Sequence, residues 1–234
     1  MTQQKSPSAF VRLTQLASEP SSEKRRELLR GITDLFLGDP CIRSDKECML
    51  FEDVISAVVS DMQGAVRAEL AEKLADTMAP INNTLKKFAM DDDIAVARPI
   101  LERSKTLTDE DLIEIVASKT QEHLLAITRR DSVSEKVSGA IVDKGSDHVV
   151  ASLLENDGAI INRSSMEKIA DRAITSETLQ KSFIGREEVP LDLLNELVMV
   201  VEKDLRNEIL NRFNCFWYGI TVNIYRNIIC KAGT

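Results

Sequence analysis

Two histidines in similar settings, His123 in "EHLLA" and His148 in "DHVVA", are the first residues of this chain that could do chemistry. An imidazole titrates near neutral pH, so a pair on neighbouring elements could act as acid and base or hold a metal. The triplet Asp91, Asp92 and Asp93 could bind a divalent cation. No further ligand recurs beside either histidine, and each follows an acid where a helix should begin. Both histidines are therefore expected at the solvated edge of their elements. The aspartates are expected to cap a helix and complement its dipole. The cysteines, Cys41, Cys48, Cys215 and Cys230, form no CxxC pair and lie far in sequence from both histidines, which argues against zinc. Phosphate-binding glycine loops, the GxSxG elbow and HExxH are all missing. The expectation is a protein without catalytic residue, cofactor or metal. An enzyme built on His123 or Asp91–Asp93 is the lesser alternative.

The elements that hold these residues should be helices. Aromatic residues make up 4% of the chain, and there are only 9 Gly and 6 Pro. Strand-like alternation is nearly missing before the C-terminal segment, so the fold class is all-α. The stretch "DDDIAVARPILERSKTLTDEDLIEIV", residues 91–116, reads as a short apolar helix, a polar break and a second, capped helix. Its anchor Leu101 is followed six residues later by Leu107. The same step joins Ile127 to Val133, Leu154 to Ile160 and Phe183 to Val189, with first anchors 26, 27 and 29 residues apart.

Each second helix has its own start signal. Thr108 with Asp111 predicts a reciprocal cap, Ser134 predicts a cap with Gly145 past the far end, and Ser164 or Asn162 serves the next. Pro190 suits a first helical position. The inward faces are Leu112, Ile115 and Val116; Val137, Ala140 and Ile141; Met166, Ile169 and Ala170; and Leu194, Leu197 and Val198. A pair of such short helices cannot bury its apolar face alone, but stacked pairs share a core. The predicted architecture is therefore short two-helix repeats stacked as a HEAT-like α-solenoid over residues 63–204. An N-terminal helical cap or bundle over 1–62 precedes it and an aromatic-rich segment over 205–234 follows, all in one continuous body.

The run "AVARPILERSKTLTDEDLIEIV", followed by "EHLLAITRRDSVSEKVSGAIVDKG", "VVASLLENDGA" and "LQKSF", resembles a bacterial family known as domain of unknown function 2336, found mainly in alphaproteobacteria. The likeness runs over roughly residues 10–205, is strongest from Ile94 to Leu154, and fades after about Arg212. It implies a HEAT-like helical protein with no established enzymatic activity and offers no catalytic residues to carry over.

Charge narrows the class of partner. The net charge of −8 divides as −1 over residues 1–90, −10 over 91–204 and +3 over 205–234. An acidic body repels phosphate backbones, which disfavours nucleic acid and suits a partner with a basic surface. The cluster Lys24, Arg25, Arg26 and Arg30 is interleaved with Glu23 and Glu27, as on a solvated helix face. The tail "RFNCFWYGITVNIYRNIIC" holds half of the ten aromatic residues. It could fold back over the end of the repeats, dock on a partner, a second copy or a membrane surface, or lie outside the native fold. The start "MTQQKSPSAF" has no signal-peptide core, and no apolar run is long enough to span a bilayer, so a cytoplasmic chain with reduced thiols is expected.

These readings converge on a non-enzymatic repeat protein that binds another protein, as an adaptor or regulatory scaffold in bacterial signalling. The candidate partner-binding residues are Glu114, Lys136, Lys168 and Glu196 on the second helices and Phe216, Trp217 and Tyr218 in the tail. The tail segment 213–230 is also the expected route to self-association. The alternative is a HEAT-like nucleic-acid-binding protein, which needs basic residues gathered on one side of 91–204.

Overall fold

A computed structural model describes residues 22–38, 45–59 and 62–216. Within them lie thirteen helices. The first four are α1 (Ser22–Gly38), α2 (Asp45–Val59), α3 (Gly64–Leu74) and α4 (Asn82–Ala89). Next come α5 (Ile94–Arg103), α6 (Asp109–Ser118), α7 (Gln121–Thr128), α8 (Glu135–Lys144) and α9 (Asp147–Leu154). The last are α10 (Arg163–Ala173), α11 (Glu177–Gly185), α12 (Leu191–Leu197) and α13 (Lys203–Phe216). The boundary expected after residue 204 falls inside α13.

Helices two apart in the chain pack together. Contacts run α1–α3–α5–α7–α9–α11–α13 in one layer, and α2–α4 and α6–α8–α10–α12 in the other. Consecutive helices such as α4 and α5, or α10 and α11, join the layers. The apolar faces meet between them: Ile100, Leu101, Ile115, Leu124, Ile141, Leu153, Ile169, Phe183 and Leu194 are all fully buried. Each such side chain contributes roughly 1.5–3 kcal/mol by leaving water, so an array of helices this short is held mainly by its neighbours. Helices α1 and α2 are the longest and join the same two layers, with Phe36 stacked on Phe51 at 3.8 Å between ring centroids.

The predicted caps form at three second helices. Thr108 accepts from the Asp111 amide while Asp111 accepts from the Thr108 amide, a complete capping box. Ser134 caps α8, whose C-cap is Gly145, and Asn162 rather than Ser164 caps α10. Pro190 is the residue before α12, one place earlier than expected. Two details of the repeat differ from the sequence reading. Ile160 is 61% exposed, and Ala159 is buried in its place. Leu154 is buried as expected, beside Leu153, so only the second anchor moves, from Ile160 to Ala159. The cause is a parallel β-bridge between Val133 and Ala159: the Val133 amide donates to the Gly158 carbonyl (3.1 Å) and the Ile160 amide to the Val133 carbonyl (2.9 Å). Ala140 is only half-buried, and Ser138 takes the inward place beside Val137 and Ile141.

Candidate functional site

His123 does not sit at a solvated edge. It is 1% exposed, in the first turn of α7, with Nε2 bonded to the Asp91 carbonyl and Nδ1 to the Thr120 hydroxyl, both at 2.9 Å. A carbonyl only accepts, so Nε2 carries a proton, and the ring ties α7 to the loop before α5. His148 is exposed on α9. The aspartates are each engaged. Asp91 pairs with Arg67 at 2.8 Å, Asp92 with Lys119 at 2.6 Å, and Asp93 caps α5 by accepting from the Ala95 amide. The Lys119 ammonium holds the Asp92 carboxyl below its ordinary range. Among the described residues, no three His, Cys, Asp or Glu side chains gather as a metal site would require.

The candidate partner residues divide. Glu114, Lys136 and Lys168 are exposed on α6, α8 and α10, successive helices of one layer. Glu114 is in an ion pair with Lys86 at 2.7 Å, and Lys168 in one with Asp143 at 2.6 Å. The side chains of Glu196 and Phe216 lie outside the described residues, as do Trp217, Tyr218 and most of the 213–230 segment.

A chain of side-chain clasps along the edge where first helices end escapes the sequence reading. Arg130 donates to the carbonyls of Leu101 and Ser104, both at 2.6 Å. Asn156 donates to those of Thr128 and Arg130, both at 2.7 Å. Arg186 reaches Leu154 (3.0 Å), Asn156 (2.9 Å) and Ala159 (2.6 Å). Arg212 reaches Ile184 (2.6 Å), Arg186 (3.1 Å) and Glu187 (2.9 Å). Each clasp residue thus holds the end of the preceding first helix, and the carbonyls of Arg130, Asn156 and Arg186 are each held by the next clasp. The last carbonyls of a helix lack intrahelical partners, and a guanidinium fork or carboxamide can satisfy two or more of them. Burial lowers the pKa of Arg130, so desolvation of its guanidinium opposes this arrangement and the hydrogen bonds offset it. The signal was present as a many-donor residue just after α7, α9 and α11, in "RRD", "END" and "GRE", and inside α13, in "NRF". In the sequence it is indistinguishable from an ordinary polar break.

The layer of first helices carries a groove of about 680 Å³ that crosses α7, α9 and α11. Leu125 and Ala151 lie in it beside Arg129, His148 and Lys181, with Glu155 and Glu177 also lining it. A hydrogen bond between the hydroxyls of Thr128 and Ser152 (2.8 Å) joins the first two helices. The Ser182 hydroxyl donates to Glu155 (2.9 Å) and joins the second two. The arrangement presents hydroxyls and both signs of charge around a small apolar strip.

No curated protein and no solved structure matches the chain. Among protein families, residues 96–215 match one described as an uncharacterised protein conserved in bacteria. The match starts within α5 and ends within α13, so it begins well after residue 10 and runs slightly past Arg212. It spans just over half of the sequence and every clasp from Arg130 to Arg212. The chain belongs to this bacterial family, domain of unknown function 2336.

Proposed function

We propose that this chain is a HEAT-like α-solenoid that binds another protein, acting as a cytoplasmic adaptor or regulatory scaffold in bacterial signalling. The observation that carries this reading is the groove across α7, α9 and α11, an open concavity that only the stacking of three successive first helices creates. Repeat arrays use such concave surfaces to hold partners. Much of the chain's ionic chemistry is spent internally. Pairs such as Lys86–Asp111, Arg163–Asp192 and Lys168–Asp143 join one unit to the next. The groove side chains Leu125, His148 and Lys181 remain open for contact. Among the described residues, no helix is long and apolar enough to cross a membrane.

The test is affinity capture from a bacterial lysate with the full chain and two variants. Leu125→Arg with Ser152→Arg fills the groove, and Lys136→Glu alters the opposite layer. A protein retained by the full chain and by Lys136→Glu, but lost with the groove variant, is the expected result. A partner kept by the groove variant and lost with Lys136→Glu would move the surface to the second helices.

A further inference from the structure

A second concavity lies at the other end of the clasp series, under the connection between α11 and α12. It encloses about 1030 Å³. Pro190 and Leu191, both half-buried, form an apolar floor over the buried Ile184 and Val189. Helix α13 forms one wall, and Asp204 and Glu208 line the cleft from it at i, i+4 spacing, joined by Glu187 from the loop. All three are exposed, and none has an ion-pair partner among the described residues. A fourth acid, Asp192, is held by Arg163, which keeps its carboxyl below the ordinary range. Arg212 also lines the cleft, but its donors are turned to backbone carbonyls.

Like charges at i, i+4 spacing oppose one another on a helix surface. Many carboxylates elsewhere in the array are tied to a cation of a neighbouring unit, as Glu102, Asp111 and Asp143 are. Here three without an ion-pair partner among the described residues surround an apolar floor, so the cleft combines acidic groups with a hydrophobic surface. A ligand that relieves both must carry positive charge and an apolar anchor.

We propose that this cleft binds a basic segment of a partner protein, with an apolar side chain on the Pro190–Leu191 floor and lysine or arginine against Asp204, Glu208 and Glu187. The proposal rests on the reading of the chain as a protein-binding scaffold but uses a different face from the groove of α7, α9 and α11. Variants of one leave the other untouched, so the two can fail separately.

The full chain is titrated into a fluorescein-labelled amphipathic peptide of leucine and lysine, and into a matched peptide of leucine and glutamate, with anisotropy as the readout. The lysine peptide binds, and the glutamate peptide does not. Charge reversal with Asp204→Lys and Glu208→Lys weakens the lysine peptide by about tenfold or more, because close charge pairs across an interface couple strongly. The same change of charge at Glu122→Lys and Asp171→Lys, exposed positions away from the cleft, shifts it by no more than about twofold, since distant charges are screened. Circular dichroism confirms that both variants fold. Equal weakening by the two double variants would reduce the effect to general acidity and overturn the proposal. So would equal binding of both peptides. Lysine-peptide binding that arises only when residues 217–234 are removed would overturn it in favour of the chain's own C-terminal segment as the occupant.

Discussion

Arg186 shows how a single side chain can hold two units together. It is 6% exposed, donates to three carbonyls at the end of α9, and pairs with Glu188 at 2.5 Å. Replacing it with methionine keeps much of the volume and strands those carbonyls in a buried place. The expected loss is about 3 kcal/mol or more, since each unsatisfied buried group costs roughly 1–3 kcal/mol. Arg186→Lys should recover little of it, because an ammonium cannot fork across carbonyls in one plane. Urea unfolding of the two variants beside the parent measures this. A loss below about 1 kcal/mol in Arg186→Met would mean that water replaces the guanidinium.

At the level of elements, two glycines make opposite predictions. Gly158 lies where the loop after α9 crosses the loop after α7, and a Cβ there would stand 2.0 Å from the Asp131 carbonyl oxygen. Alanine forces those backbones apart and opens the bridge between Val133 and Ala159, at a cost of about 1–3 kcal/mol, as in overpacked cores. Gly139 sits inside α8, and a Cβ there would meet only Ser165 Oγ, at an ordinary 3.7 Å. Gly139→Ala should stabilise the protein by up to about 1 kcal/mol through helix propensity. Thermal melts of the two variants should move in opposite directions, and a rise for Gly158→Ala would show that the loops can separate freely.

For the whole molecule, acid is the revealing stress. Hydrogen bonds from Ser176 and Arg172 depress the Asp147 carboxyl, and one from Arg163 depresses Asp192. Burial pushes Asp111 up, but bonds from Lys86 and Thr108 outweigh it and leave the carboxyl below its usual range. The pairs of Asp192 with Arg163 and of Asp111 with Lys86 join different units, and that of Asp147 with Arg172 joins the two helices of one unit. A carboxyl with a folded pKa below its unfolded value of about 3.9 binds fewer protons when folded. Its contribution is therefore present above about pH 4 and lost as pH falls through the folded value. The urea midpoint should hold steady from about pH 7 to 5 and drop below about pH 4, less steeply in high salt because the pairs are solvent-exposed. A midpoint unchanged at about pH 3 would show that these pairs contribute nothing to the joints.

The sequence by itself determined the helices, their caps and most of the core. These follow from local rules: Thr108 with Asp111 forms a capping box wherever the next residues are helical, and apolar spacing selects the buried face of α6, α8 and α10. Family membership was legible too, because it is itself a pattern in the sequence. Tertiary structure alone decided the rest. Nothing near His123 in the chain shows that its ring meets the carbonyl of Asp91, 32 residues away, or that Arg130, Asn156, Arg186 and Arg212 close helix ends in the preceding unit. The groove lies across three first helices and the acidic cleft between α13 and the connection of α11 to α12, so neither is a property of one helix. A local pattern reports what a residue does to its own helix. A clasp or a cleft is a relation between distant backbones, and it exists only once packing has brought them together.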